Sequence, residues 1–428
     1  MLSYRGQGFG SISLRIRVVN NTRLEGVAPL GGKIAAMGDP RTPSFSAVLY
    51  LCQVLFCILL FAALVESAAA LDHVRFEQGG RETTVSGKVL VTAQDGGLLL
   101  LATDGVLWIV QPNDLIQHTA DDSPFVPLTA DEMSRRVLGE LPRGFEVHRT
   151  AHYLIFHNTS RDYATWCGSL FERLYMAFTN FWARRGFELQ SPEFPLVAIL
   201  FADKAAYSEF AKAELGEGVQ AIIGYFSLRT NRITMFDLTG MVSANRGGRG
   251  GSAAQINRIL SHPDSERNVA TIVHEATHQI AFNCGLHTRY SDCPLWFSEG
   301  IALYFETPDL TSAKGWSTIG SVNRPRLQRF QEYASRRPPD SLLSLVRDDV
   351  RLRDTKNGLD AYAEAWALTY FLLKQQPKQY LAYLKTLSAK KPMEWDDPET
   401  RLHEFQQAFG SDLRKLDAEM TRYMLRLK

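Results

Sequence analysis

Residues 269–283 read Val-Ala-Thr-Ile-Val-His-Glu-Ala-Thr-His-Gln-Ile-Ala-Phe-Asn, and no other stretch restricts so strongly what this chain can fold into. Val269, Ile272, Val273, Ala276 and Ile280 recur at helical spacing and make a core-facing stripe. At about 100° per residue, His274 and His278 fall on the opposite side of the same helix, one turn apart. A helix that buries one face and carries paired histidines on the other needs a second reason for the pair. Two neutral imidazoles at this spacing suit one tetrahedral zinc ion. Glu275 projects beside them, where a carboxylate is placed to take a proton from metal-bound water. His-Glu-x-x-His also arises by accident in on the order of one chain in a hundred of this length. The motif therefore needs a third ligand before it carries weight.

Glu299 lies 21 residues beyond His278, in Leu295-Trp-Phe-Ser-Glu-Gly300. Asn283, Cys284 and Gly285 end the first helix, and Pro294 is suited to start a second. Helix, loop and helix then return a carboxylate to the histidine pair. The plain alternative is a solvated surface glutamate. Trp296, Phe297, Ile301, Ala302, Leu303, Tyr304 and Phe305 speak against it, because a lone carboxylate on a helix apolar nearly all round is costly unless bound.

His274-Glu275-x-x-His278 with Glu299 downstream resembles the gluzincins, the thermolysin-like zinc metallopeptidases whose third ligand is a glutamate. The stretch Asp292 to Ala302 is similar to the Trp-x-x-Glu-Gly-x-Ala segment of the peptidase-MA-like families, many of them exported bacterial proteins of uncharacterised function. The close resemblance covers about residues 265 to 306, and a looser one in element order about 146 to 390. It implies zinc held by His274, His278 and Glu299, with Glu275 as general base. It also implies a Tyr or His from the C-terminal lobe that stabilises the oxyanion. Tyr362 is the candidate, placed at the opening of a helix after the loop Arg353 to Asp360; the plain alternative is a core tyrosine. Four residues past Glu299 stands Leu303 where thermolysin-like enzymes carry an acid. The group that orients His274 is left open among Asp237, Glu306 and Glu364.

Ala47 to Val65 is apolar except for Gln53 and precedes Glu66-Ser-Ala-Ala-Ala70, which reads as a leader with a cleavage site after Ala70. Met37 is a second candidate start, because residues 1–36 are long for the segment before such a leader. The alternative is an uncleaved anchor, since 19 apolar residues just span a bilayer. Either reading places the rest outside the cytoplasm, in the periplasm, cell envelope or medium. No lipid-attachment cysteine stands at a sensible place, because Cys52 and Cys57 lie inside the apolar run. Beyond residue 70 stand Cys167, Cys284 and Cys293; the last two bracket the loop between the metal-bearing helices and are expected to form a disulfide, with Cys167 buried.

The 428 residues carry a net charge of +1, which suits one large or two unequal globular domains and gives no sign of nucleic-acid binding. Residues 72–112 read as short strands joined at Gln94-Asp-Gly-Gly97 and Thr103-Asp-Gly105, a small β-module. Residues 111–145 read as a connecting segment around one helix, Ala130 to Leu141. Then come a strand at His152–His157, a helix at Arg161–Arg185, a strand at Leu196–Phe201, a helix at Lys204–Leu215, and strands 221–226 and 232–236 about the turn Leu228–Asn231. The resemblance implies that the edge strand of this hairpin runs along the cleft, where an exposed edge would pair with a peptide. Gly247-Gly-Arg-Gly-Gly-Ser252 lacks the residues of a phosphate loop and reads as a loop near the cleft, and His262 as a solvated loop residue. Beyond Glu306 the pattern is helical.

The expected class is α+β: a small mixed sheet with zinc-binding helices and a helical C-terminal lobe, preceded by the β-module. The expected division is 1–70 leader or anchor, 71–145 module and linker, and 146–428 metallopeptidase-like domain. The expected function is hydrolysis of a peptide or protein substrate, with the membrane involved only through an uncleaved anchor. A zinc-containing binding or scaffold protein of the cell envelope is the alternative, and hydrolysis of a non-peptide bond at the same centre is a third reading.

Overall fold

The computed structural model describes residues 70–239, 256, 263–307, 316, 318–354, 356 and 358–428. Residues 1–69, where a leader was expected, the stretch Gly247–Ser252 and His262 lie outside them. The described residues form two five-stranded sheets and twelve helices, an α+β arrangement with an N-terminal β-module and a helical C-terminal region.

The module is an antiparallel sheet of β1 (Ala70–Gln78), β2 (Arg81–Thr92), β3 (Leu98–Ala102), β4 (Leu107–Val110) and β5 (Leu115–Pro124), in the order β4-β3-β2-β1-β5. Gly79 and Gly80 close the β1–β2 hairpin with φ of 59° and 75°, the left-handed pair that a tight hairpin turn requires. Val74, Phe76, Val85, Leu100 and Val110 make a small core on one side of the sheet. Leu99, Leu101 and Leu107 join the main core of the chain. Leu107 N–H donates to Arg229 O at 2.8 Å and Leu128 N–H to Thr103 O at 2.8 Å, so backbone bonds reinforce that junction. Strand β5 falls in the segment read from sequence as a connection. Nearly every residue of it is exposed, so it has no apolar alternation to announce it. The helix expected there is α1 (Ala130–Glu140), opened by a reciprocal cap between Thr129 and Glu132.

The second sheet is mixed: β6 (Glu146–Arg149), β7 (Tyr153–His157), β8 (Leu196–Phe201), β10 (Arg232–Phe236) and β9 (Gly224–Phe226), in the order β6-β7-β8-β10-β9. Strands β7, β8 and β10 are parallel, with Tyr153 beside Leu196 and Val197 beside Arg232. All three are fully buried, which explains their almost unbroken apolar runs. The crossovers carry α2 (Arg161–Ala183) and α3 (Lys204–Leu215). Helix α4 (Pro263–Asn283) packs against β9 and β10, and α2 against β6, β7 and α4.

Helix α5 (Leu295–Phe305) is wholly buried between α4 and α9 (Gly358–Gln375). A Cβ on Gly300 would stand 2.1 Å from Thr369 Oγ1 and 3.0 Å from Ala365 O, so only glycine permits this approach of α5 to α9. Around them lie α6 (Arg324–Ala334), α7 (Ser341–Arg347), α8 (Val350–Arg353), α10 (Pro377–Ser388), α11 (Pro398–Phe409) and α12 (Leu413–Arg426). Among the described residues, no helix is long and apolar enough to cross a membrane.

The disulfide expected between Cys284 and Cys293 is absent; both thiols are free, as is Cys167. Gly285, with φ of 78°, turns the chain immediately after Cys284. The Cys284 thiol then faces Tyr175 on α2, whereas Cys293 Sγ lies 3.6 Å from His287 Nδ1. The two side chains address different neighbours.

Candidate metal centre

Helix α4 offers His274 and His278 from one face and α5 brings Glu299 against them. His274 Nε2 is 3.1 Å from Glu299 Oε2, His278 Nε2 is 3.7 Å from the same oxygen, and the two Nε2 atoms are 3.2 Å apart. All three residues are buried, Glu299 completely. Three ligands at 2.0–2.1 Å from a tetrahedral ion stand about 3.3 Å from one another, and the observed separations bracket that value. Two ring nitrogens facing one another share at most one proton, and Glu299 Oε1 is buried with no hydrogen-bond partner among the described residues. Both features are what a cation between the three residues would resolve. This buried group could hold a metal ion.

The electrostatics agree with the geometry. Burial pushes the His274 pKa down, but the carboxylates of Glu299 and Glu306, with Glu275 further off, outweigh it and raise it to about 9. Burial likewise acts to raise the Glu299 pKa, and His278 and His274 hold it well below the ordinary carboxylate value. A proton here occupies the place of a metal and would have to leave as one binds.

Of the three acids left open from sequence, Glu306 is the one at the centre. Its Oε2 lies 3.8 Å from His274 Nδ1, on the far side of the ring from Glu299, and is itself 3.3 Å from Arg326. Glu306 stands just past the end of α5, seven residues after Glu299, and that spacing of about two helical turns was available to pick it out. Asp237 is engaged by Thr159 and Thr239. Glu364 is held by Arg337 at 2.6 Å, Arg351 at 2.7 Å and Ser341 at 2.7 Å.

Glu275 is wholly buried beside the histidines, and its Oε2 accepts the Phe226 backbone N–H at 2.9 Å. Strand β9 is thus the edge of its sheet, as expected, but it is buried, and one of its N–H groups is already used. Gln279 fixes α4 on the sheet by donating to Val197 O at 2.9 Å and Asn231 O at 3.0 Å. Tyr362 lies in the first turns of α9, which begins at Gly358, before the start read from sequence. Its phenol is buried, and after burial the charges of Glu299 and Glu275 are what push its pKa up.

The start of α5 depends on residues that sequence reasoning missed. Pro294 offers no side-chain cap, and Asp349 Oδ1 instead accepts the Leu295 N–H at 3.0 Å. Arg401 on α11 binds both Asp349, at 3.0 Å, and the buried Asp292, at 3.1 Å, while Lys390 approaches Asp292 at 3.4 Å. Nothing local in the sequence announces partners 109 residues apart.

No curated protein matches this chain. Residues 268–394, which hold His274, Glu275, His278, Glu299, Glu306 and Tyr362, match a family described as "Protein of unknown function (DUF1570)".

Proposed function

We propose that this chain is a zinc-dependent peptidase acting outside the cytoplasm. The observation that carries the reading is the convergence of His274 Nε2, His278 Nε2 and Glu299 Oε2 beside a buried Glu275. His274, His278 and Glu299 would hold zinc, which when bound acidifies water and polarises a carbonyl. Nitrogen and carboxylate donors, three in number, suit a catalytic zinc that keeps a fourth place open. Glu275, steadied at Oε2 by the Phe226 N–H, accepts the proton of the attacking water and passes it to the leaving nitrogen as the C–N bond breaks. Tyr362 stays protonated and donates a hydrogen bond to the carbonyl oxygen as negative charge develops there. Glu306 orients the His274 ring. The leader read at residues 47–70 supports the location.

One observation favours the scaffold alternative. The Glu275 carboxylate has a structural use, as acceptor of the Phe226 N–H. The change Glu275→Gln separates the two. Zinc content, read by mass spectrometry, should be unchanged, and peptide hydrolysis should fall by at least about 10²-fold. Hydrolysis at the parent rate would overturn the mechanism. A zinc-loaded parent that cleaves nothing in a broad peptide library would install the scaffold reading in its place.

A further inference from the structure

His274, His278 and Phe282 recur every four residues on one face of α4, about 6 Å per step. Phe282 lines a cavity of about 240 Å³ together with Leu90, Leu107, Gln190, His287 and Arg289. Phe226, whose N–H holds Glu275, stacks on Phe282 with centroids 5.9 Å apart, so one ring contact links the cavity wall to the residue that steadies Glu275. Two of its polar groups have hydrogen-bonding capacity left over. His287 is buried between Phe282 and Phe297, and its Nε2 has no partner among the described residues. A buried polar atom of this kind calls for something to meet it. Arg289 donates Nη1 to Gly105 O at 2.9 Å and Leu228 O at 3.1 Å, and among the described residues it forms no ion pair, although the charge of Glu193, which lines the same cavity, acts on it. Glu193 is engaged by Lys88 at 2.7 Å. Arg229, on the adjacent β9–β10 turn, also has no carboxylate partner there and lies over Trp108. The second cavity, about 290 Å³ between Tyr333, Arg336, Arg351 and Asp360, differs in that both its arginines are already paired.

We propose that the cavity one turn past His278 is a subsite for a carboxylate-bearing residue of a peptide, bound through Arg289. This rests on the peptidase reading. A planar guanidinium with free donors matches a carboxylate at two points. Burial lowers the Arg289 pKa only to about 10, so the charge is present at neutral pH. Phe282 and Leu107 would pack the aliphatic part of the residue, and the volume suits one residue rather than an extended segment. The carboxylate is either the C-terminus of the peptide or an acidic side chain.

The full chain carrying Glu275→Gln and loaded with zinc tests this by fluorescence anisotropy with three labelled hexapeptides. One has a free C-terminus, one a C-terminal amide and an internal glutamate, and one a C-terminal amide and glutamine in that place. The free-acid or the glutamate peptide should bind at least about tenfold tighter than the neutral one, and whichever does so identifies the source of the carboxylate. Adding Arg289→Met should abolish the preference, and Arg289→Lys should keep part of it. Leu90→Glu, at a 38% exposed position on the rim, should weaken the acidic peptide and spare the neutral one. Equal binding of all three peptides, no binding of any, or a preference that survives both Arg289→Met and Leu90→Glu would overturn the proposal. An acidic preference in a protein that cleaves nothing would leave the subsite and remove the peptidase reading. Cleavage without the preference would do the reverse.

Discussion

His274 sits between two carboxylates, Glu299 at Nε2 and Glu306 at Nδ1, and the two have different jobs. Removing a ligand and removing its support should therefore differ in degree. Glu299→Ala leaves two imidazoles, a weak site, and the protein should lose its metal on dialysis. Glu306→Gln keeps the shape and removes the charge; metal should stay, with affinity weaker by about tenfold in a competition titration against a chromophoric chelator. Loss of metal from Glu306→Gln as complete as from Glu299→Ala would make Glu306 a ligand and the assignment wrong. At this scale the sequence was informative wherever side-chain chemistry and helical spacing act together, as in the grouping of His274, His278 and Glu299; among Asp237, Glu306 and Glu364 it made no choice. It was silent on the Phe226 N–H that holds Glu275, because a backbone donor has no residue type. It misled on Cys284 and Cys293, since closeness along the chain says nothing about which way two thiols point.

Between elements, contacts of atomic closeness decide the geometry. Gly300 lets α5, which carries Glu299, lie closely on α9, which carries Tyr362. Gly300→Ala should lower stability by about 1–3 kcal/mol through overpacking. Adding Thr369→Ala, which removes the nearest atom, should restore part of it in a double-mutant cycle by urea unfolding. Additive effects would mean that the two residues do not meet. The β6–β7 connection hangs on Glu172 of α2, which accepts Thr150 Oγ1–H at 2.6 Å, the His152 N–H at 2.7 Å and a bond with His152 Nδ1 at 2.7 Å. Burial acts to raise the Glu172 pKa, but these bonds outweigh it and hold it below 4.5. A depressed acid contributes stability that is present above its unfolded pKa and lost as pH falls through the folded one. Between about pH 6 and about pH 3 the parent should therefore lose more stability than Glu172→Gln, as followed by urea unfolding. Parallel losses would deny the carboxylate that part. Buried strands such as β8 were legible as apolar runs, whereas β5, exposed along most of its length, presents the same polarity as a loop.

Over the whole molecule, most strands and helices could be read from apolar patterns and turn residues, β5 and β6 excepted. The long-range ties could not. Arg401, far along the chain on α11, joins Asp292 before α5 to Asp349, which caps α5. Arg401→Met would leave Asp292 with Lys390 and Asp349 with Arg353 as their remaining cations, and breaking a buried pair by removing one partner costs about 3–5 kcal/mol. Denaturant unfolding should show a loss of that size; a loss under about 1 kcal/mol would place Arg401 among weak surface pairs. The recognisable stretch 268–394 includes every candidate ligand but neither Phe226, which steadies Glu275, nor Arg401, which anchors the start of the helix bearing Glu299. A recombinant fragment trimmed to those limits would possess the right letters and lack the scaffolding that aims them. A passage that can be recognised across sequences is not, for that reason, a piece that can be transplanted.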